Sequence, residues 1–202
     1  MATESRPATP RAKIDVRALV VLASIAVAVY LSDQVSKYLV VENLELGRPV
    51  QILGEALEFV YVKNPGAAFS LASGSTWIFS IAASVVTVII VVLARRIRST
   101  SWAVLFGMLL GGTVGNLTDR LVREPSIGLG HVVDFIQVAY FPAVFNIADI
   151  FIVSSMGLFI ILTVRGTGLD GVRESERASD AAAENSVDGT AGSAPLDDPT
   201  VR

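Results

Sequence analysis

Two aspartates in apolar surroundings are the residues best placed to do chemistry. Asp134 sits in Val132-Val-Asp-Phe-Ile136 and Asp149 in Phe145-Asn-Ile-Ala-Asp149. Two carboxylates held close in a partly dry site cannot both ionise comfortably, so one keeps a proton and the other accepts one. Such a pair can activate a water molecule, protonate the leaving group of a peptide bond, and do both without a metal. Metal binding is the competing use of clustered carboxylates. With no cysteine and a single histidine, His131, the chain lacks the donors of a catalytic zinc site. Carboxylate-bound magnesium stays open, but no phosphate-binding motif lies beside these residues. Asp149 also has a plain reading as a charge at a helix N-terminus. That reading leaves the apolar setting of Asp134 unexplained.

Other polar residues stand at the edges of apolar runs, where ionisable groups are costly and need a purpose. Asp33 and Lys37 are four residues apart, so on a helix they share a face and can pair. Lys37 either snorkels to the interface with Asp33 as its neutraliser, or the two position a substrate. Asn116, Asp119 and Arg120 close the run Gly111-Gly-Thr-Val-Gly-Asn-Leu-Thr-Asp-Arg120. An Asp119–Arg120 pair beside an amide is a way to build a satisfied buried network, which points to a structural role for both. Asn146 precedes Asp149 by three residues and points the same way on a helix. Asn64, in Asn64-Pro-Gly-Ala-Ala-Phe-Ser70, opens a turn rich in small residues, which suits a close backbone approach.

The elements that must carry these residues are membrane spans. Of the 202 residues, 52% are hydrophobic, and the mean hydropathy is +0.59. That excludes an ordinary soluble domain of this size. Spans are expected over 18–41, 76–94, 101–121 and 145–164, each near the ~20 residues that cross a bilayer as a helix. The first is read as a retained helix, because no small-x-small cleavage site follows it. Gly107, Gly111 and Gly115 recur every four residues on the third span, a pattern that lets another helix approach closely. Between the first two spans, Val50–Leu53 and Ala56–Val62 predict a hairpin with Gly54-Glu55 as its two-residue turn. Residues 122–144 are expected to form a loop, with His131 as an ordinary member. The fold class is an all-α membrane protein with a small β element. It has four transmembrane helices, an extracytoplasmic β-cradle or hairpin, and a short interfacial helix beginning at Ala67.

Charge sets the expected orientation. Arg6, Arg11, Lys13 and Arg17 precede the first span. Arg95, Arg96 and Arg98 follow the second, and Arg165, Arg173 and Arg177 follow the fourth. The two remaining connections hold only Arg48, Lys63 and Arg123. Both termini are therefore expected in the cytoplasm, with the hairpin, the Asn64 turn and the 122–144 loop outside. Residues 1–17 read as a disordered basic leader and 166–202 as a disordered acidic tail. The basic residues occur in small groups beside apolar runs, which gives no footprint for nucleic acid.

Together, Asp33-Gln-Val-Ser-Lys37, Asn64–Ser70, Gly111–Arg120, Val132–Ile136 and Phe145–Asp149 make the chain resemble the lipoprotein signal peptidases (signal peptidase II), bacterial membrane aspartic proteases. The resemblance covers roughly residues 18–165. It implies removal of the signal peptide of prolipoproteins by cleavage before a diacylglyceryl-modified cysteine. Asp134 and Asp149 become the catalytic pair. Asp33, Lys37, Asn64, Asn116, Asp119, Arg120 and Asn146 become supporting polar residues around the substrate. No metal or other cofactor is implied. Prolipoprotein and membrane lipid are the implied partners, globomycin the implied inhibitor, a monomer the expected state, and the bacterial cytoplasmic membrane the implied location. A β-cradle and an interfacial helix over 67–74 are also implied. This chain departs from the family's compact members in its longer 121–131 loop, with Glu124–Gly130 inserted, and in Ile150 after Asp149.

A small ion- or proton-coupled transporter is the rival reading, since intramembrane aspartates also mark ion paths. Such sites lie near mid-membrane and come with repeats and broken helices. Here the aspartates lie near span ends and no repeat is visible. A non-enzymatic scaffold would explain the glycine stripe but not the Asp134–Asp149 pairing.

Overall fold

A computed structural model of the chain describes residues 14–66, 76–173, 176 and 179. The proposed interfacial helix over 67–74, most of the basic leader and most of the acidic tail lie outside the described residues. Four helices, α1 (Val16–Asn43), α2 (Thr76–Ala94), α3 (Thr100–Val122) and α4 (Ile147–Val164), are long and apolar enough to cross a membrane. Their outer faces carry exposed Val20, Val27, Val88, Val92, Val153 and Ile160, as lipid-facing helices do. The chain is a multi-pass membrane protein.

α3 is the central helix. α1 and α4 pack on it and touch each other, whereas α2 packs chiefly along α3. The glycine stripe explains the tightest of these contacts. A Cβ on Gly111 would lie 2.6 Å from the Ala26 carbonyl oxygen and 2.7 Å from Val29 Cβ, so only glycine lets the two backbones meet. One turn further on, a Cβ on Gly115 would collide with the Asp33 carboxylate. Gly112, on the adjacent stripe, serves α4 in the same way against the Ala148 carbonyl.

At one end of the bundle, Leu22, Ile97, Trp102, Leu105 and Leu162 form an apolar cluster. Residues just past α4, expected as the start of a disordered tail, pack here. The Leu169 carbonyl accepts the N–H groups of Arg98 and Ser99, each at 3.0 Å. The Thr167 carbonyl accepts the indole N–H of Trp102, also at 3.0 Å. The bond to Ser99, the N-cap of α3, satisfies an N–H that the helix itself leaves without a partner.

At the other end sits a three-stranded antiparallel sheet, ordered β1 (Pro49–Gln51), β2 (Leu57–Asn64), β3 (Val132–Val138). The expected hairpin is present, but Gly54-Glu55 is not a two-residue turn. Pro49 pairs with Val60 and Gln51 with Glu58, so residues 52–56 form the connection and Gly54 takes a left-handed φ of 57°. The third strand, β3, corrects the expectation of a loop over 122–144. It pairs with β2 and packs Val133, Phe135 and Ile136 against Val40 and Tyr61. The β2–β3 register shifts by one between Phe59, opposite Ile136, and Val62, opposite Asp134. The extra residue of this bulge changes which β2 side chains share Asp134's face. Val62 and Asn64 face Asp134 as a result.

Candidate active site

β3 and α4 bring Asp134 and Asp149 to one amide, that of Asn146. Asn146 is the N-cap of α4, and its side-chain oxygen accepts the Asp149 N–H at 3.0 Å. In return Asp149 Oδ2 accepts the Asn146 N–H at 3.3 Å, completing a capping box. The same Asn146 side chain donates to Asp134 Oδ1 at 2.6 Å. The cap reading of Asp149 is therefore correct, yet the cap also joins it to Asp134. Asn64 donates to the other oxygen of Asp134 at 2.7 Å, and the Gly66 N–H orients Asn64 by donating to its oxygen at 2.8 Å. Asn116 donates to Asp149 Oδ1 at 2.9 Å.

The two aspartates differ in their access to water. Asp134 is 2% exposed, whereas Asp149 is half-buried and lines an almost wholly apolar groove of about 330 Å³ with Phe141, Phe145, Ile150 and Val153. Burial pushes the Asp134 carboxyl up to about 6. The negative charge of Asp149 adds to the rise. Hydrogen bonds from Asn64 and Asn146, and the charge of Lys37, oppose it.

Behind this pair lies a fully buried ionic cluster. Lys37 does not snorkel. Its ammonium group spends its three protons on Asp33 Oδ2, Asp119 Oδ2 and Asn116 Oδ1, each at 2.8 Å. Asp33 uses its other oxygen to accept the N–H of Ala148 at 3.0 Å, one residue before Asp149. Asp119 Oδ2 also accepts the N–H of Val133 at 3.3 Å, one residue before Asp134. One lysine thus anchors two carboxylates, and each carboxylate grips the backbone next to one of the paired aspartates.

The expected Asp119–Arg120 pair is not formed. Among the described residues, the cations on Asp119 are Lys37 and Arg123, whose Nε donates to Oδ1 at 2.7 Å. Arg120 donates to the Asn116 carbonyl at 3.1 Å and holds its guanidinium 5.8 Å from the centroid of the Phe79 ring. Its Nε is buried and has no partner among the described residues.

A family model described as "Signal peptidase (SPase) II" matches residues 25–165. The chain belongs to the signal peptidase II family. It is similar to the lipoprotein signal peptidase of Leifsonia xyli, at 56% identity over 88% of this chain and 82% of that relative. The lipoprotein signal peptidase of Mycobacterium tuberculosis is 44% identical over 81% of this chain and 80% of its own length. The fold is similar to a solved bacterial membrane enzyme with a TM-score of 0.66 at 27% identity, covering 80% of this chain and 96% of that one.

As a signal peptidase II, the chain is a membrane-bound lipoprotein signal peptidase. All nine polar residues singled out in the sequence fall in one connected region. Two members escaped that reading. Arg123 lies just past the expected end of the third span, although its four-residue spacing from Asp119 was the available signal. Gln34, which donates to Asp33 Oδ2 and to the Gly115 carbonyl, each at 3.1 Å, left no pattern to read.

Proposed function

We propose that Asp134 and Asp149 are the catalytic pair of this signal peptidase, working without a metal on prolipoproteins at the outer face of the bacterial cytoplasmic membrane. The observation that carries the proposal is Asn146, whose side-chain amide donates to the Asp134 carboxylate while its backbone N–H donates to the Asp149 carboxylate. Asp134, the drier of the two, holds the proton. Asp149, next to the open groove, accepts one from water. The water oxygen attacks the carbonyl carbon of the residue before the lipid-bearing cysteine, and Asp134 protonates the carbonyl oxygen. When the tetrahedral intermediate collapses, the C–N bond breaks, the proton held on Asp149 goes to the departing amine, and one hydroxyl proton of the intermediate returns to Asp134 as the new carboxyl group forms.

The surrounding residues fit a substrate that stays in the bilayer. α2 and α4 both pack on α3, and the groove beside Asp149 runs along the exposed start of α4, where Ile150 and Val153 line it. The Nε of Arg120, which has no partner among the described residues, is a donor for a substrate carbonyl, and the apolar groove beside Asp149 suits acyl chains of a diacylglyceryl group. Arg95, Arg96 and Arg98 lie at the opposite end of the bundle from the sheet, which supports a sheet outside and both termini in the cytoplasm. Globomycin would inhibit by occupying this same site, and the enzyme would act as a monomer.

Purified protein in detergent, given a diacylglyceryl-modified prolipoprotein, tests the proposal. Wild type should cleave it with or without a chelator, and folded Asp134→Asn and Asp149→Asn should not. Full activity in either folded variant removes that residue from the pair, and loss of activity on chelation overturns the metal-free mechanism.

A further inference from the structure

In lipid, a hydroxyl on a helix has little to bond except its own backbone, and in this chain most such hydroxyls do that. Ser32, Ser84, Thr87, Thr118 and Thr163 each donate to the carbonyl four residues earlier at 2.8 Å. Ser80 on α2 differs. Its own fourth-residue carbonyl, that of Thr76, is 3.4 Å away. The hydroxyl donates instead to the carbonyl of Gly128, at 2.7 Å, in the segment that joins α3 to β3.

That segment is tied down on its remaining sides. The Gly130 N–H donates to the Arg120 carbonyl and the His131 N–H to the Glu124 carbonyl, both at 3.0 Å. Glu124 meets Lys63 of β2 at 3.3 Å. Gly130 lies so close to the end of α3 that a Cβ would be 2.9 Å from the Arg120 carbonyl oxygen. The residue before Ser80 is Phe79, whose ring faces Arg120 and would be 2.7 Å from a Cβ on Gly66.

We propose that Ser80 is a positioning residue and that residues 124–130 are a strut, which together hold α2, and with it Phe79 against Arg120, at a fixed distance from the catalytic pair. α2 needs such a tether because α3 is its main helical neighbour. The strut acts on substrate placement and leaves the proton chemistry of Asp134 and Asp149 alone. It rests on the signal peptidase mechanism above only for its kinetic readout.

The native chain has no cysteine, so Ile78→Cys on α2 and Val153→Cys on α4, both exposed, can carry spin labels that report the α2–α4 separation in the full-length protein. Ser80→Ala should shift or broaden the label-to-label distance and raise KM several-fold while leaving kcat close to wild type. Ser80→Thr, which keeps the hydroxyl, should restore both. Gly130→Ala, which prises the strut from α3 without touching α2, should act like Ser80→Ala and carries the test if that variant does not fold. An unchanged distance in a folded variant overturns the strut, as does a changed distance with KM unmoved. If wild type cleaves no prolipoprotein, the proposed activity falls, and the distance measurement alone still decides whether the strut holds α2.

Discussion

Lys37 lies 2.8 Å from Asp119, with neither side chain more than 1% exposed. The same ammonium is 2.8 Å from Asp33, so one buried cation sets the spacing of two carboxylates on different helices. Those carboxylates hold the N–H groups of Ala148 and Val133, and the spacing passes in this way to Asp149 and Asp134. Replacing Lys37 by Met would leave both carboxylates buried without it, a loss on the order of 3–5 kcal/mol. Lys37→Arg should not restore stability, because a planar guanidinium cannot reach three acceptors arranged around one nitrogen. Thermal unfolding in detergent checks both variants. A Lys37→Met protein as stable as wild type would refute the clamp.

Arg123 should matter less than Lys37, although it bonds the same carboxylate at a shorter distance. Its side chain is 29% exposed, so water replaces much of what its removal takes away, and Asp119 keeps Lys37. Arg123→Ala should cost about 1 kcal/mol or less. A loss equal to that of Lys37→Met, in the same unfolding assay, would show that Arg123 carries more of the balance than its exposure implies.

Glycines on two helices should respond in opposite ways to alanine. At Gly111 the new Cβ meets the α1 backbone at 2.6 Å, and backbone cannot rotate away. Overpacking of this kind costs roughly 1–3 kcal/mol. At Gly157 on α4 no described residue comes within 4 Å, so the same change should only improve helix propensity, by up to about 1 kcal/mol. Melting temperatures of the two variants should fall on opposite sides of wild type.

Much of this was legible in the sequence because it is local and periodic. The four spans follow from run length, and the α1–α3 contact from glycines at four-residue spacing. What was not legible depends on strands and on the meeting of distant helices. Val132–Ile136 is buried along its whole length, so it lacks the alternation that marks a half-exposed strand. It read as part of a loop. The bulge in β2 that turns Asn64 toward Asp134 leaves no local signal, since it is a property of pairing. Lys37 could have snorkelled or been buried. The choice depends on Asn116 and Asp119, which α3 brings from about eighty residues away.

The elevated carboxyl of Asp134 gives the mechanism a direction in pH. Its ordinary value is 3.8 and burial lifts it to about 6. In this state the neutral form is favoured by folding, so the associated stability is present at low pH and is lost as pH rises from the ordinary value through the folded one. If the proton on Asp134 is the one given to substrate, kcat/KM should fall as pH rises past about 6 in the free enzyme. Substrate that expels water would push the limb in kcat higher still. Asn64 donates to Asp134 Oδ2 and thereby favours the charged form. Removing that donor in Asn64→Ala must raise the pKa further and move the alkaline limb of kcat/KM to higher pH. A pH–rate profile of wild type and Asn64→Ala decides the matter. A limb that stays in place, or moves to lower pH, would mean that Asp134 is not the group whose proton the reaction needs.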